Sequence, residues 1–496
     1  MIHKRNSISV GLVLTFMLCF TFESISKPTS QKQEFGSKEL ITSFIKAVNS
    51  GNRAHMGTFI SENFGANVLK LAPLSLVVSL NMEFYYQTGG LGYELMQVNS
   101  SDSNTVSADL YNKLTESYVN LQIPVADTTS FTINWFIKTE PINAKEGFKQ
   151  PPKLTEKEML AKVNYGLKKL KEDDEFSGAV LISRNGVRIF NEAVGDASKS
   201  YQIKNKTNTK FNIASVGKIF TGLAVMQLVE QGKLSYDDYV DKYVGTEWLK
   251  PEVASIIQIK HLLTHTSGLG DYFKDAYAQN NISVFRDLSD YKILLADDEL
   301  AFKPGTSFMY SNSGMLILGV IIEKVSGNSY FDYLDEFIFK PSGMYNTGGF
   351  YKDRPVENRA TGYTKIYENE EVTFDNHQFT RVMRGSPSGG VYSTVEDFLK
   401  FDIALKTNKL LSAENTELLF KGRPELNAGF HSYGFFIEEG DAGKIATHKG
   451  DGSGVNAQFN MYLDNGYTFV VLSNYSRPSA KIVADIISAL INNIEL

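Results

Sequence analysis

The sequence predicts an α+β protein in which an antiparallel sheet is flanked by helices and joined to a helical lobe, with a smaller α+β domain in front. Two Asn-Gly pairs carry much of this prediction, because Asn-Gly between two apolar runs is a strong hairpin signal. Asn185-Gly186 follows a predicted helix, and Asn465-Gly466 precedes another. This mirrored arrangement indicates one sheet assembled from both ends of a domain. At 496 residues the chain is long enough for two or more domains.

The first 26 residues have the layout of a secretory signal peptide. Lys4 and Arg5 precede an apolar run over residues 8–22, and the small residues Ser24 and Ser26 suit a cleavage site. The run is shorter than the ~20 residues of a membrane-spanning helix, so no transmembrane span is expected in the mature chain. We therefore expect a periplasmic or secreted protein.

Cys19 is the only cysteine and would be removed with residues 1–26. The alternative, a lipoprotein acylated at Cys19, is disfavoured by the bulky Leu18 before it and by the apolar run that continues after it. A mature chain without cysteine excludes disulfides, a cysteine nucleophile and thiolate metal sites. The net charge of −6 and the lack of a dense Lys/Arg block give no reason to expect nucleic-acid binding.

Residues 27–140 are predicted to form the smaller α+β domain, with a helix first and strands later. Ser37 is expected to cap that helix and Ser50-Gly51-Asn52 to end it. The apolar face of the helix consists of Leu40, Ile41, Phe44, Ile45 and Val48. The predicted strands are Gly92–Val98, Thr105–Tyr111, Tyr118–Ile123 and Ser130–Ile137.

A linker is predicted over residues 141–153, where three prolines interrupt a stretch of little periodicity. The main domain, residues 154–496, then begins with a helix that Thr155 and Glu158 initiate as a capping box. The segments expected to form its sheet are Ala179–Ser183, Val187–Phe190, Ala457–Leu463 and Tyr467–Leu472, and Ala480–Ile494 is the final helix.

Ser215-Val-Gly-Lys218 is the stretch that most favours chemistry. A Ser and a Lys three residues apart lie on one helix face, and the positive end of a helix dipole can help to make a hydroxyl a nucleophile. The apolar run Ile219–Val229 predicts a buried helix, where Lys218 is costly unless its amine is paired or neutral. The alternative is a Ser cap with a solvent-facing Lys, as expected for Ser43-x-x-Lys46.

Tyr310-Ser-Asn312 precedes a second apolar helix, Met315–Val325. A Tyr beside a buried Lys can have its pKa lowered by the positive charge, and it could then accept the Ser215 proton. Asn312 has an amide that can bond both a lysine amine and a substrate carbonyl. The alternative is a turn with a helix-capping Asn.

His448-Lys-Gly450 closes a strand that begins at Ile445. A strand edge that ends in Gly lets a substrate backbone approach closely, and the amide of Asp451 can donate into an oxyanion hole. The alternative is a surface turn rich in Gly and Asp.

Together the three stretches resemble the serine β-lactamase and penicillin-binding-protein family, which has S-x-x-K, Y-x-N and a K-T-G-like box in that order. His261–Leu269, Pro304–Gly314 and Ser388–Asp397 are also similar to segments of this family. The resemblance covers roughly residues 154–496 and implies a β-lactamase/transpeptidase-like fold. Residues 27–140 resemble small cystatin-like or nuclear-transport-factor-like domains.

The resemblance implies a role for each residue. Ser215 would be the acylated nucleophile and Lys218 its activator, while Tyr310 would be the general base for acylation and the acid for the leaving group. Asn312 would orient Lys218 and the substrate, and the amides of Ser215 and Asp451 would form the oxyanion hole. Acylation followed by hydrolysis is the implied reaction, with no cofactor.

The third box departs from the family pattern. Family members that act on antibiotics usually carry Lys there to hold a substrate carboxylate, whereas His448, mostly neutral at pH 7, takes that place here. This makes the box similar to that of esterase and aminopeptidase relatives, and His448 a candidate catalytic residue. Gly450 and Lys449 are the candidate substrate-binding residues, although Lys449 should point to the other face of the strand.

His261 and His265 have a spacing that can bind zinc, but no H-E-x-x-H Glu or third ligand accompanies them, so we expect a structural role and no metal. The function that we expect is an exported serine hydrolase of esterase or peptidase type, acting on small-molecule or peptide substrates through an acyl-enzyme. Two alternatives stay open: a β-lactamase or D,D-peptidase, and a catalytically weak penicillin-recognising binding or sensor protein.

Overall fold

The computed structural model describes residues 30–99, 104–126, 131–274, 277, 282–368, 371–377, 382–440 and 442–495. The predicted signal peptide and Cys19 lie outside the described residues. The chain divides into two compact units between Leu154 and Thr155. Within the described ranges, no helix is long and apolar enough to cross a membrane.

The first unit consists of helices followed by a four-stranded antiparallel sheet in the order β1-β2-β3-β4. Its elements are α1 (Ser30–Asn49), α2 (Arg53–Asn63), α3 (Ala66–Leu71), α4 (Leu74–Gln87), β1 (Tyr93–Val98), β2 (Thr105–Asn112), β3 (Ser117–Pro124) and β4 (Lys138–Ile142). The predicted apolar face of α1 is buried, as expected. The predicted cap is wrong, because α1 begins at Ser30 and Ser37 lies inside it.

The fourth predicted strand of this unit is also wrong. Within Ser130–Ile137, Ile133 forms only isolated bridges, with Phe64 and Val125. The strand that pairs with β3 is instead β4, which includes Pro141 and the next residue of the predicted linker. Because β4 is the last strand in the sheet order, it is an edge strand, where the missing N–H of a proline can be tolerated.

The second unit is built on a six-stranded antiparallel sheet in the order β13-β14-β15-β16-β5-β6. The strands of this unit are β5 (Gly178–Arg184), β6 (Val187–Val194), β7 (Asp196–Ser198), β8 (Ile203–Lys204), β9 (Phe211–Asn212), β10 (Tyr363–Glu368), β11 (Glu371–Asn376), β12 (Tyr392–Ser393), β13 (Phe436–Gly440), β14 (Gly443–Gly452), β15 (Val455–Tyr462) and β16 (Tyr467–Ser473). Six of them form the sheet just given, and the other six form the two-stranded sheets β7-β8, β9-β12 and β10-β11. Strand β16 pairs with β5, which confirms that the two ends of the unit form one sheet. Asn185 and Gly186 both have positive φ at the β5–β6 turn, as an Asn-Gly hairpin turn requires.

Helices cover this sheet and form much of the rest of the unit. They are α5 (Glu156–Glu172), α6 (Lys218–Glu230), α7 (Pro251–Ala254), α8 (Ile259–Leu263), α9 (Lys292–Leu295), α10 (Asn312–Ser326), α11 (Tyr330–Leu334), α12 (Lys340–Ser342), α13 (Val395–Lys406), α14 (Ala413–Leu419) and α15 (Ser479–Asn492). Every residue of β15 and β16 is buried, as expected for strands covered on both faces.

Helix α6 is the buried centre of the second unit. Nearly all of its side chains are inaccessible to solvent, which confirms the predicted buried helix. It packs against α10, the helix that begins at Asn312. The first residues of these two helices therefore lie close together, and they carry two of the candidate catalytic side chains.

Candidate active site

Ser215 lies in a tight turn at the entrance to α6. The turn is a 3-10 helix, Ala214–Gly217, and α6 begins at Lys218. Ala214 has a positive φ of 44°, which is uncommon for a residue with a Cβ. The side-chain oxygen of Asn212 accepts a hydrogen bond of 2.8 Å from the Ala214 amide. The turn therefore holds a strained backbone in place and presents Ser215 half-buried.

Two glycines allow other segments to pack directly on this turn. A Cβ at Gly389 would lie 2.4 Å from the carbonyl oxygen of Ala214, and a Cβ at Gly450 would lie 2.2 Å from that of Ile213. Both distances are too short for any side chain, so these positions require glycine. A substrate backbone was expected to approach Gly450 closely. In the structure, the backbone that lies against Gly450 is that of the nucleophile turn at Ile213.

Lys218 is buried, as predicted, and its amine lies at the centre of the site. The Nζ atom is 3.1 Å from Ser215 Oγ and 2.7 Å from Asn312 Oδ1, and it also bonds to the carbonyl oxygen of Ser388. Burial lowers the pKa of the Lys218 amine to about 7, although the nearby Asp271 carboxylate raises it. A large fraction of the amine is therefore neutral at neutral pH.

When the Lys218 amine is neutral, its hydrogen bonds to Asn312 and Ser388 leave its lone pair directed at Ser215. The oxygen of Asn312 and the carbonyl of Ser388 can only accept, so each takes one N–H of the amine. A neutral amine has two N–H groups and one lone pair. The lone pair is then left for the third neighbour, the Ser215 hydroxyl, and the amine can take the proton of that hydroxyl.

Asp271 fixes the orientation of Asn312 and was not among the predicted residues. The amide nitrogen of Asn312 donates to the Asp271 carboxylate over 2.6 Å, which turns the amide oxygen toward Lys218. The helix-capping alternative for Asn312 is wrong, because the N-cap of α10 is Ser311, whose hydroxyl accepts from the Gly314 amide. Asp271 lies two residues after the family-like segment His261–Leu269, but a single Asp in a loop has no pattern that indicates a function.

Tyr310 reaches the nucleophile, but its charge state differs from the predicted one. Its hydroxyl hydrogen-bonds to Ser215, and Lys218 Nζ lies 4.8 Å from the centre of its ring. Burial raises the pKa of Tyr310 well above its usual range, against a smaller lowering by the Ser215 bond. The predicted lowering is wrong because Lys218, itself buried, does not hold a full positive charge near neutral pH. Tyr310 is therefore a phenol that can donate.

His448 is buried and uncharged. Its Nδ1 atom lies 2.9 Å from the Lys449 carbonyl oxygen, so Nδ1 carries the hydrogen and Nε2 has the lone pair. Burial, with a smaller effect of the nearby Lys218, lowers the pKa of His448 to about 3. The third box therefore carries no positive charge from this side chain.

Lys449 does not supply that charge. Its side chain is 59% exposed, and its Nζ pairs with Glu438 at 3.7 Å. Because side chains alternate along a strand, Lys449 faces away from His448. The predicted substrate contact of Lys449 is therefore wrong, whereas its predicted direction agrees with the structure.

Strand β14 offers an open edge beside the nucleophile turn. Strand β13 pairs with β14 only as far as Thr447, so residues 448–452 have no strand on that side among the described residues. On the other side β15 continues to Gly452. The amide of Asp451, the predicted second oxyanion donor, belongs to this unpaired stretch next to Gly450.

His261 and His265, outside the third box, form hydrogen bonds to the local backbone. His261 Nδ1 accepts a hydrogen bond from the Gln258 amide, and His265 Nδ1 accepts one from the Ser311 amide. The donor–acceptor distance is 3.2 Å in both. The His265 ring also lies 4.5 Å from the Tyr310 ring, so His265 helps to position Tyr310. Across the described ranges, no group of three or more His, Cys, Asp or Glu side chains could hold a metal ion.

His431 is a buried neighbour of the site that sequence reasoning missed. Its ring lies 4.6 Å from that of His265, and burial lowers its pKa to about 3. No motif surrounds it in the sequence, so only the fold places it there.

Comparisons with known proteins show the family and the fold of the second unit. Residues 167–491 match the Beta-lactamase family. The chain is 32% identical over 323 residues to penicillin-binding protein 4* of Bacillus subtilis, across 62% of this chain and 69% of that protein.

Solved structures share the fold. The penicillin binding protein from Bacillus halodurans superposes with a TM-score of 0.58 at 31% identity, over 65% of this chain and 98% of that one. EstCE1, a hydrolase with promiscuous acyltransferase activity, superposes with a TM-score of 0.56 at 23% identity, over 67% of this chain and 98% of that one. The predicted α+β, β-lactamase/transpeptidase-like fold is confirmed, and the chain belongs to the Beta-lactamase family.

Proposed function

We propose that this protein is a serine hydrolase of esterase or peptidase type, which cleaves small esters or amides through an acyl-enzyme on Ser215. The observation that carries the proposal is the buried, neutral His448 at the place where family members that act on antibiotics usually carry lysine. Its pKa of about 3 keeps the imidazole uncharged at neutral pH. A third box without a cation favours acyl donors that have no carboxylate beside the scissile bond.

Acylation begins with proton transfer from Ser215 to Lys218. The neutral amine takes the hydroxyl proton through its lone pair, and Ser215 Oγ forms a bond to the substrate carbonyl carbon. The carbonyl π electrons move to oxygen, which the amides of Ser215 and Asp451 stabilise as an oxyanion. Asn312 and the Ser388 carbonyl keep the amine aimed at Ser215 throughout this step.

Collapse of the tetrahedral intermediate expels the leaving group. Tyr310, a phenol bonded to Ser215, gives its proton to the leaving oxygen or nitrogen and regains one from the Lys218 ammonium. The products of this half-reaction are acyl-Ser215, a neutral amine and a protonated leaving group. Water then attacks the acyl carbonyl with Lys218 as base, and Ser215 is released with its proton restored.

Labelling of Ser215 by a fluorophosphonate tests this proposal. We expect the intact mass to rise by one phosphonyl group in the wild-type protein and not in Ser215→Ala. Ser43→Ala is the matched control, since Ser43 belongs to another S-x-x-K stretch but bonds to the Leu40 carbonyl in α1. It should be labelled like the wild type. Failure of the wild type to gain mass would contradict the enzyme proposal and favour a binding or sensor protein. Equal labelling of Ser215→Ala would contradict the assignment of Ser215 as the nucleophile.

A second candidate activity is the acylation of Ser215 by β-lactams or cell-wall peptides. The relatives named penicillin-binding proteins, at 31–32% identity, favour it. Nitrocefin distinguishes the two candidates. Turnover that Ser215→Ala abolishes, at a kcat/KM above that for simple esters, would favour the second.

We also propose that the protein is exported, on the signal-peptide layout of residues 1–26. The intact mass of protein recovered from the periplasm or the culture medium should correspond to a chain that begins at Lys27. A full-length mass in that fraction would contradict the proposal.

A further inference from the structure

A cavity of about 650 Å³ lies beside the nucleophile turn and is separate from Ser215. Its walls include Asn212, Tyr392, Gly454 and most of the loop over residues 352–362, of which Asp353 and Asn358 are not part of the lining. This volume lies within the range of small-molecule sites, ~300–1,000 Å³. None of the proposed catalytic side chains lines it, so the acyl-transfer mechanism leaves the cavity without a function.

The walls of the cavity are positively charged. Lys352, Arg354 and Arg359 line it, and Glu357 is the acidic residue of the lining. Three cations and one carboxylate give an excess of two positive charges, in a chain whose net charge is −6. Such a concentration of cations around a concave surface attracts anions.

The loop that bears these cations is held in shape by hydrogen bonds. The guanidinium of Arg359 donates to the carbonyl oxygens of Tyr351 and Lys352, over 3.3 and 3.0 Å. The Ala360 amide donates to the carbonyl of Lys210, just before β9. The cavity wall is therefore fixed to the segment that leads into the nucleophile turn, and Arg359 is a structural part of it.

Arg354 is the side chain of the wall that is available to a ligand. It is exposed, and its guanidinium packs on the Tyr351 ring at 4.5 Å. It forms no ion pair with another residue that the structure describes. A guanidinium held by an aromatic ring retains its planar fork of donors, which matches the two oxygens of a carboxylate or phosphate.

We propose that this cavity binds an anionic group, a carboxylate or a phosphate, with Arg354 as the main contact. Two sources share this chemistry: the far end of a substrate whose scissile carbonyl lies at Ser215, and a free anion. Asn212 lines the cavity, and its side-chain oxygen holds the Ala214 amide, so the cavity borders the nucleophile turn. The cavity would thus supply the anion recognition that the neutral third box lacks, and its part in substrate binding rests on the proposed function.

Anion binding is tested first without catalysis, in protein that carries Ser215→Ala. Calorimetric titration with inorganic phosphate and with succinate should show binding that Arg354→Gln weakens about tenfold, as expected for a charge-assisted hydrogen bond. The matched control is Lys233→Gln, an exposed cation that does not line the cavity, and it should leave both affinities unchanged. Since Arg354 is exposed, the variant should fold, and its unchanged thermal midpoint verifies this.

The source of the anion is then resolved in the active enzyme with two p-nitrophenyl esters, the neutral butyrate and the monoester of glutaric acid. If the anion is part of the substrate, Arg354→Gln lowers the ratio of kcat/KM for the charged over the neutral ester about tenfold. If the anion is free, that ratio stays constant while phosphate binding is lost. The proposal is overturned if Arg354→Gln matches Lys233→Gln in both anion affinities and in the ester ratio.

Discussion

Replacement of Lys218 with methionine is expected to lower the rate of Ser215 acylation by about 10²–10⁴-fold, the usual contribution of a positioned general base. Methionine fills a similar volume but has no lone pair of comparable basicity and no N–H for Asn312 or Ser388. The measurement is the second-order rate of fluorophosphonate labelling. Lys46→Met, in the S-x-x-K stretch of α1, is the control and should keep the wild-type rate.

The same variant should not be less stable than the wild type at pH 7. The pKa of the Lys218 amine falls from 10.5 to about 7 on folding, so between these values the unfolded chain binds the extra proton. Lys218 therefore destabilises the folded protein most at pH 7 and below, and this destabilisation is relieved as the pH rises from about 7 to 10.5. Thermal midpoints of the wild type and Lys218→Met at pH 7 and pH 9.5 measure this. Equal losses of labelling rate and stability at pH 7 would indicate a structural lysine instead.

Tyr310→Phe is expected to lower kcat/KM for an ethyl ester by about 10²–10³-fold, because ethoxide needs a proton as it leaves. For a p-nitrophenyl ester, whose leaving group departs as a stable anion, the loss should be much smaller. Phenylalanine keeps the packing on His265, so the cost in stability should be that of one hydrogen bond, ~1 kcal/mol.

The comparison between these two esters identifies what Tyr310 does. A general base for Ser215 would be needed equally for both substrates, since Ser215 attacks in both. Equal losses on the two esters would therefore contradict the role of Tyr310 as proton donor to the leaving group.

The candidate catalytic side chains could be predicted, because their residue types and their spacing along the sequence indicate their chemistry. Ser215 and Lys218 are neighbours along the helix entrance. The structure places the predicted Asn312 and Tyr310 beside them, and the predicted His448 close enough to Lys218 to respond to its charge. The hairpins at both ends of the second unit were predictable for a similar reason, because Asn-Gly has a local conformational preference that tertiary contacts did not override.

Contacts that depend on the backbone or on long-range packing could not be predicted. The carbonyl of Ser388 reaches Lys218, and the carboxylate of Asp271 reaches Asn312, only because loops fold onto the starts of α6 and α10. Asp271 has no local signal, and Ser388 makes its contact through the backbone, which no residue type marks. The pKa of Tyr310 was predicted in the wrong direction since its sign depends on how deeply both it and Lys218 are buried. Strand β4 was missed because Pro141 indicated a linker, although an edge strand accepts a proline.

The central claim is that a neutral Lys218 takes the proton of Ser215, and the pH dependence of Ser215 labelling tests it most directly. The rate should rise with pH and level off, with a midpoint near the Lys218 pKa of about 7. In Asp271→Asn the midpoint should move to lower pH, because the lost carboxylate had raised that pKa. A midpoint near 10, or a midpoint that Asp271→Asn leaves in place, would contradict the claim.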